Sequence, residues 1–375
     1  RDDFLFTVKD KDLSTVPTFE SIILGKLNLS EALKYRFYID FKFFNKLLLQ
    51  IHYKRHYPLS KNQRLNLLKY LTIGYVNSND VRYFNEFLWF YKSDEIFENL
   101  KKINLNNFKN NLDTNNCHSI PNLSKKEIFK YISKFNKQNS KKTELKRDYR
   151  LKIALIGIPF IFKNVFSTLK NMGYSVSLYV IPHYTEIKRR IFLKSGAIFK
   201  AYNKIKGVKF PYTILNFNYK DKKIKDLLLK EKLDVGFFKL GFIAQDNIYD
   251  CFKIGLLHDH LAVLPFIRGR SSVEFSLLTG IPVGSTIHFI SKGIDTGDIV
   301  EIYTYNVQQG ENIISIRKKI KKDFEKRIYD SLKKISHNQK GNFKNDTSKG
   351  LTYYSIHPEL YNFINRSIIN KNTEV

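Results

Sequence analysis

Residues 151–181 read LKIALIGIPFIFKNVFSTLKNMGYSVSLYVI. Lys152 to Gly157 is a short apolar run that ends on glycine, the pattern of a strand buried on both faces of a parallel sheet. Phe162 to Met172 then carries helical spacing and stops at Gly173, and Val176 to Ile181 is a second strand. The same alternation continues downstream. Tyr184 to Leu193 and Ile224 to Lys232 read as helices, and Tyr212 to Phe217, Leu233 to Phe238 and Ile254 to Leu257 read as strands. Strands alternating with helices predict a doubly wound α/β fold with a mostly parallel sheet. Val283 to Ile290 and Ile299 to Tyr305 add two longer strands, Glu311 to Ile335 a long basic amphipathic helix, and the last forty residues a polar tail. The first turn, Gly157-Ile-Pro-Phe-Ile-Phe, lacks the second and third glycines of a dinucleotide fingerprint, and no Walker A sequence occurs. Nicotinamide and nucleoside-triphosphate enzymes are therefore disfavoured.

Upstream of this core the texture differs. Residues 1–100 read as a mostly helical extension, with Phe41, Phe44, Leu47 and Leu48, and then Leu65, Leu67, Leu68 and Leu71, at helical spacing. The cluster of Tyr83, Phe84, Phe87, Trp89, Phe90 and Tyr91 reads as a helix packing face. Only Arg82 and Lys92 flank it, too little charge for a base-stacking platform. Lys101 to Asn116 holds seven asparagines and reads as a loop, and 122–150 as a lysine-rich tether with one weak helix around Lys125 to Phe135. The expected division is a helical region over 1–100, a polar linker over 101–150, a catalytic domain over 151–310, and a C-terminal helix and tail over 311–375.

The 375 residues carry 64 Lys and Arg against 35 Asp and Glu, a net charge of +29 that suggests nucleic acid at first sight. The excess is spread evenly: residues 1–150 hold 28 basic and 16 acidic side chains, and 151–375 hold 36 and 19. With 31 Phe and 23 Tyr against one Trp and one Met, the composition follows AT-rich codons, and drift explains much of the charge. Two cysteines, Cys117 and Cys251, cannot build a disulfide framework or a four-thiolate zinc site. A reducing, cytoplasmic setting is the expectation. No apolar run approaches the roughly 18 residues of a membrane span, so no membrane partner is expected. The chain begins at Arg1 rather than Met, which reads as a fragment or processed form, and its acidic first residues are unlike a signal peptide.

Residues 255–300 stand apart: Arg268, Arg270 and Lys292 face Asp259, Glu274, Asp295 and Asp298, and three of the nine histidines fall here. His258 and His260 follow the strand ending at Leu257, at the carboxyl end where open α/β sheets place their sites. Two residues apart in extended chain, both rings can face one pocket. Asp295 lies in Gly293-Ile-Asp-Thr-Gly297, a tight loop between two strands, from which a carboxylate can turn towards a histidine and raise its basicity. Pro265 stiffens the Leu264–Gly269 loop, Arg268 reads either as an anion clamp for substrate or as a structural ion pair, and Ser271 and Ser272 offer caps to a helix over Val273–Leu278. His288, in mid-strand, reads as structural.

These blocks resemble the catalytic core of the folate-dependent formyltransferases, the family of methionyl-tRNA, glycinamide ribonucleotide and sugar-nucleotide N-formyltransferases. The family pattern is Gly-x-hydrophobic-Asn-x-His, Leu-Pro-x-x-Arg-Gly, Gly-x-Thr-hydrophobic-His and hydrophobic-Asp-x-Gly. His260 stands at the motif histidine, Leu264, Pro265, Arg268 and Gly269 match the loop, Gly284, Thr286 and His288 the third block, and Asp295 and Gly297 the fourth. The likeness covers roughly 151–305 and is strong from 255 to 300. The resemblance implies a Rossmann-type core, 10-formyltetrahydrofolate as formyl donor, and a primary amine as acceptor. It makes His260 and Asp295 catalytic. It places folate against Phe242 and Ile243 of the Leu240–Ala244 loop, against Leu264 and Pro265, and against Ile294. The family asparagine falls on His258, which would act as second oxyanion donor in its place. Losing such a donor costs about 10²–10³ in rate.

A small amine such as that of a sugar nucleotide fits the domain order better than methionyl-tRNA, since about 150 residues precede the core and only a helix and tail follow it. Two further alternatives stand: a catalytically impaired folate-binding relative, and a metal-dependent hydrolase using His258, His260 and Asp295. The N-terminal region is a candidate homo-oligomer interface.

Overall fold

The computed structural model describes residues 19–25, 41–93, 95–112, 124–140, 150–181, 196–215, 220–308, 310–335 and 343–370. The chain forms two compact units, each assembled from separate stretches. One comprises Arg1–Ile128, Arg270–Ile281 and Leu351–Val375, and the other Phe129–Gly269 and Pro282–Gly350. The division is therefore not the sequential one that composition suggests.

The second unit carries the sheet. Its strands are β1 (Lys152–Gly157), β2 (Ser175–Val180), β3 (Thr213–Ile214), β4 (Val235–Lys239), β5 (Gly255–His260), the short β6 (Ile267–Gly269), β7 (Gly284–Phe289) and β8 (Ile299–Thr304). Seven of them form one sheet in the order β3-β2-β1-β4-β5-β7-β8. The first five run parallel, and β7 and β8 are antiparallel additions. The doubly wound reading holds. The alternation of side chains explains the layers. Ile153 and Leu155 of β1 face one core with Val165, Phe166 and Leu169 of the Lys163–Asn171 helix and Ile328 and Leu332 of the Phe324–Ile335 helix. Ala154 and Ile156 face the other, with Ile224 and Leu228 of the Lys222–Lys230 helix.

Two departures in this unit bear on the site. β5 runs through His260 rather than ending at Leu257, so both histidines are strand residues. The long helix expected over Glu311–Ile335 is two, Ile313–Lys322 and Phe324–Ile335, which meet at Asp323. The helix read over Tyr184–Leu193 lies outside the described residues.

The other unit is helical. Phe41–Tyr53, Lys61–Ser78, Val81–Phe90 and Glu95–Leu112 account for most of it. Ser60 caps its helix reciprocally with Gln63, and Asp80 accepts the Arg82 amide at the next helix start. Tyr83, Phe84, Phe87 and Phe90 are buried, as a packing face requires. The asparagine-rich stretch is helical up to Leu112 instead of a loop. Phe97 and Phe108 anchor it in the core, and buried Asn104 donates to Thr72 Oγ1 at 2.7 Å and to the Leu100 carbonyl at 2.8 Å. Its amide nitrogen is satisfied within the bundle, and the apolar anchors let packing override propensity. Residues 113–116 are outside the description. The lysine-rich segment that follows forms a helix over Lys125–Ser140, longer than expected. The polar tail also has structure, a short strand at Leu351–Tyr353 and a helix at Pro358–Asn370. Ser271 occupies the N-cap position of the Ser272–Thr279 helix without capping it, because its hydroxyl accepts the Ile356 amide at 3.2 Å.

Candidate active site

The last three residues of β5 place His258, Asp259 and His260 on alternating faces of the sheet. His258 continues the face of Leu256, and its ring centroid lies 6.5 Å from that of His260. β7 runs antiparallel to β5 and sets His288 directly opposite His258, with ring centroids 5.7 Å apart. A register shift between Ile287 and His288 interrupts β7's pairing with β8 at this point. Such bulges re-aim side chains.

Asp295 completes the cluster. One carboxylate oxygen lies 3.4 Å from His260 Nδ1 and the other 3.5 Å from His288 Nε2. The Gly269 amide donates to the first at 2.8 Å. The loop carrying Asp295 is backbone-demanding. Asp295 itself has φ +52°, and a Cβ on Gly297 would meet the Phe289 carbonyl oxygen at 1.8 Å. Asn345 holds the loop from outside, donating to the Asp295 carbonyl at 2.9 Å and the Gly297 carbonyl at 3.0 Å.

Each imidazole is tied by its remaining nitrogen to a backbone carbonyl. His258 Nδ1 donates to Phe238 O at 3.1 Å, His260 Nε2 to Ile267 O at 2.9 Å, and His288 Nδ1 to Phe289 O at 2.8 Å. A carbonyl only accepts, so these nitrogens bear the hydrogens. In the neutral ring the opposite nitrogens, His258 Nε2, His260 Nδ1 and His288 Nε2, are then acceptors. With Nδ1 donating to Phe238 O, the neutral His258 ring presents an acceptor at Nε2, and it can be a donor there only when protonated.

The electrostatics agree. Burial, and then Lys239, push the His258 pKa down to about 4, so the ring is neutral near pH 7. Burial also lowers His260, with Asp295 opposing it. Burial alone would raise the Asp295 carboxyl, but the neighbouring His260 and His288 outweigh it and hold the group well below the usual carboxylate range.

Behind the site, Asp259 points into the opposite core. It pairs with Arg327, which is fully buried, through Nε at 3.0 Å and Nη2 at 2.8 Å. Ser285 Oγ also donates to it, and Lys239 Nζ lies 3.3 Å away. Burial would raise its carboxyl pKa, but Lys239 and Arg327 hold it low.

The other expected site residues fall as follows. Leu264 is fully buried, with its amide on Thr286 Oγ1 at 3.1 Å, and Pro265 is buried beside it. Phe242 is half-buried and packs edge-on against Phe238, whose carbonyl holds His258. Ile243 is 52% exposed and Ile294 is partly exposed. The Arg268 guanidinium is buried, and its Nη atoms donate to Pro265 O at 3.2 Å, Thr347 O at 3.1 Å and Gly350 O at 3.1 Å. These contacts make it a brace between the loop and residues 347–350, in place of an anion clamp. Sequence reasoning missed His288, Asp259 with Arg327, and Asn345. The signal for Asp259 was available, since the alternation that turns His258 and His260 to one face must turn Asp259 to the other.

An imidazole–carboxylate cluster thus lies at the carboxyl end of a central strand, where open α/β sheets place their sites. Comparison with known proteins sharpens this. A methionyl-tRNA formyltransferase of Prochlorococcus marinus (strain NATL2A) is 26% identical over 187 residues, 49% of this chain and 55% of that protein. One from Finegoldia magna is 35% identical over 89 residues, 23% of this chain and 28% of that protein. Among solved structures, a sugar N-formyltransferase from Shewanella sp FDAARGOS_354 aligns with 13% identity and a TM-score of 0.43, covering 57% of this chain and 86% of that one. The chain thus spans 55% or less of the length of these two sequence relatives. No protein-family model matches it. The resemblance to the folate-dependent formyltransferases is carried by relatives of that name. Among the described residues no helix is long and apolar enough to cross a membrane.

Proposed function

We propose that this protein transfers a formyl group from 10-formyltetrahydrofolate to a primary amine. The observation that carries the reading is the His260–Asp295 contact at 3.4 Å, set at the end of β5 with His258 on the same side of the sheet. The amine attacks the formyl carbon and gives a tetrahedral intermediate, which needs a proton acceptor for the amine and positive charge at the oxygen. His258 Nε2, whose tautomer Phe238 O fixes, takes the amine's proton and returns it to the folate nitrogen as that nitrogen's bond to the formyl carbon breaks and tetrahydrofolate leaves. Asp295 stabilises the imidazolium so formed. His260, paired with Asp295 at 3.4 Å, is the donor to the formyl oxygen when it carries a proton on Nδ1, and Asp295 favours that protonated form. Folate lies against Phe242, Ile243 and Ile294, with Ile243 and Ile294 offering the exposed apolar surface, while Leu264 and Pro265 are buried and shape the loop behind it.

The acceptor we favour is a small amine such as an amino sugar on a nucleotide. Around the site, residues 255–300 carry three basic against four acidic side chains, although the whole chain is at +29. That local balance does not suit a polyphosphate backbone such as tRNA. Methionyl-tRNA, from which the sequence relatives take their name, is the competing acceptor. It predicts binding that weakens steeply with salt, with a slope set by the phosphates contacted.

The test follows tetrahydrofolate release from 10-formyltetrahydrofolate with candidate amines. Turnover with an amino sugar nucleotide supports the reading. Salt-sensitive turnover with methionyl-tRNA alone replaces the acceptor. Folate binding without turnover, restored by His258→Asn, identifies an impaired relative.

A further inference from the structure

We propose that His258, His260 and Asp295 bind one divalent transition-metal ion of the zinc class. One candidate ligand atom from each of the three lies within 4.8 Å of the others. His260 Nδ1 and Asp295 are already 3.4 Å apart. Two ligands of a tetrahedral zinc, with bonds of about 2.0–2.1 Å, stand about 3.3 Å from each other. The third, from His258, lies within 4.8 Å of both and closes on the ion as it binds.

The hydrogen bonds select a cation. Phe238 O, Ile267 O and Phe289 O each hold one nitrogen of a histidine as a donor, which turns the lone pairs of His258 Nε2, His260 Nδ1 and His288 Nε2 outward from those carbonyls. His260 Nδ1 and His288 Nε2 then face the Asp295 carboxylate, acceptor against acceptor. His288 Nε2 is buried with no hydrogen-bond partner, on a residue only 2% exposed. A backbone carbonyl on the second nitrogen is how proteins orient metal-binding histidines and raise their basicity. Here all three rings have one. His288 stays against the other oxygen of Asp295 and orients the carboxylate. Two imidazoles and a carboxylate leave a zinc-class ion an open coordination position.

The site departs from the family pattern, because His258 stands where that pattern has asparagine. Binding rests on this geometry alone. Its use in catalysis rests on the formyl-transfer reading and changes the part of His258, because one lone pair on Nε2 serves either the ion or the amine's proton: in the loaded site the ion would supply positive charge at the formyl oxygen, and the amine's proton would pass to solvent.

The experiment uses the full chain without a polyhistidine tag, stripped with chelator and titrated with Co²⁺ and then with Zn²⁺. The expected result is one ion per chain, visible absorption of a low-coordinate Co²⁺ centre that Zn²⁺ bleaches, and a rise in Tm with Zn²⁺. His258→Asn, the residue of the family pattern, should keep the apo Tm and circular dichroism while losing at least a hundredfold in metal affinity. His357→Ala, in the helical unit, should bind as the parent does. Absence of saturable binding at micromolar metal overturns the proposal, as does equal affinity in His258→Asn. Formyl transfer by a metal-free, non-binding protein would refute the metal site and leave the transferase reading intact. Stoichiometric metal without any formyl transfer would do the reverse.

Discussion

Replacing Arg327 by methionine should destabilise the sheet unit by about 3–4 kcal/mol. Arg327 is fully buried and meets Asp259 with two charge-assisted bonds, at 3.0 and 2.8 Å. Methionine keeps much of the side-chain volume and strands the carboxylate. Breaking a buried pair from one side costs about 3–5 kcal/mol, because a buried charge is left uncompensated. Lys239, 3.3 Å from Asp259 and 27% exposed, remains and offsets part of this, which puts the expectation in the lower part of that range. The change is read by urea unfolding, where the loss belongs to the transition of the sheet unit, and by native-state hydrogen exchange of the β5 amides. Adding Asp259→Leu to Arg327→Met removes the stranded charge and should recover most of the loss, since apolar replacements of buried pairs are often neutral. A single variant costing under about 1 kcal/mol, or a double variant no more stable than the single, would refute the claim that Asp259 is held in charged form behind the site.

Other consequences are testable alongside it. The His258 ring titrates at about 4 when folded against 6.5 in its ordinary state, so between these values the unfolded chain binds a proton that the folded chain does not. Stability should therefore fall as pH drops from 6.5 to about 4, by up to about 3 kcal/mol from this ring, then level off. His258→Asn should remove that part of the slope, and an unchanged profile would contradict it. If neutral His258 is the base, its own ionisation should leave kcat/KM nearly level from pH 7 down to 5, whereas an acid limb centred near 6.5 that His258→Asn abolishes would argue for an unperturbed ring. Asn345→Ala removes two hydrogen bonds to the Asp295 loop and should cost about 1–2 kcal/mol. Exchange should quicken in residues 290–298 and kcat should drop; normal exchange there would deny Asn345 its positioning role.

The parallel core was legible because it is written locally. Apolar runs such as Ile153–Ile156 end at glycine, and the seven strands of the main sheet fall within a few residues of their expected places, whereas the short β6 reads as loop. The histidine pair was legible from the two-residue period of extended chain. What the sequence concealed is non-local. His288 joins the cluster through antiparallel pairing with His258 and a bulge against β8, neither of which leaves a local mark. Asn345 and the carbonyls of Thr347 and Gly350 lie in what reads as tail, yet they hold the Asp295 loop and Arg268. Gly350 is required there, since a Cβ would meet Pro265 O at 1.7 Å. The tautomer of His258 depends on Phe238 O, one strand away, so the exchange of donor for acceptor at that position could be read only from the structure. The asparagine-rich helix misled for a related reason, because its apolar anchors are sparse and the buried Asn104 donates to Thr72 of another helix.

The central claim is tested most directly by tetrahydrofolate release from 10-formyltetrahydrofolate with an amino sugar nucleotide, comparing the native chain with Asp295→Ala. The account predicts turnover by the native protein and a loss of at least about 10² in kcat in the variant, the order expected when a catalytic proton-handling group is removed, with folate binding retained. Equal rates in the two proteins would contradict it.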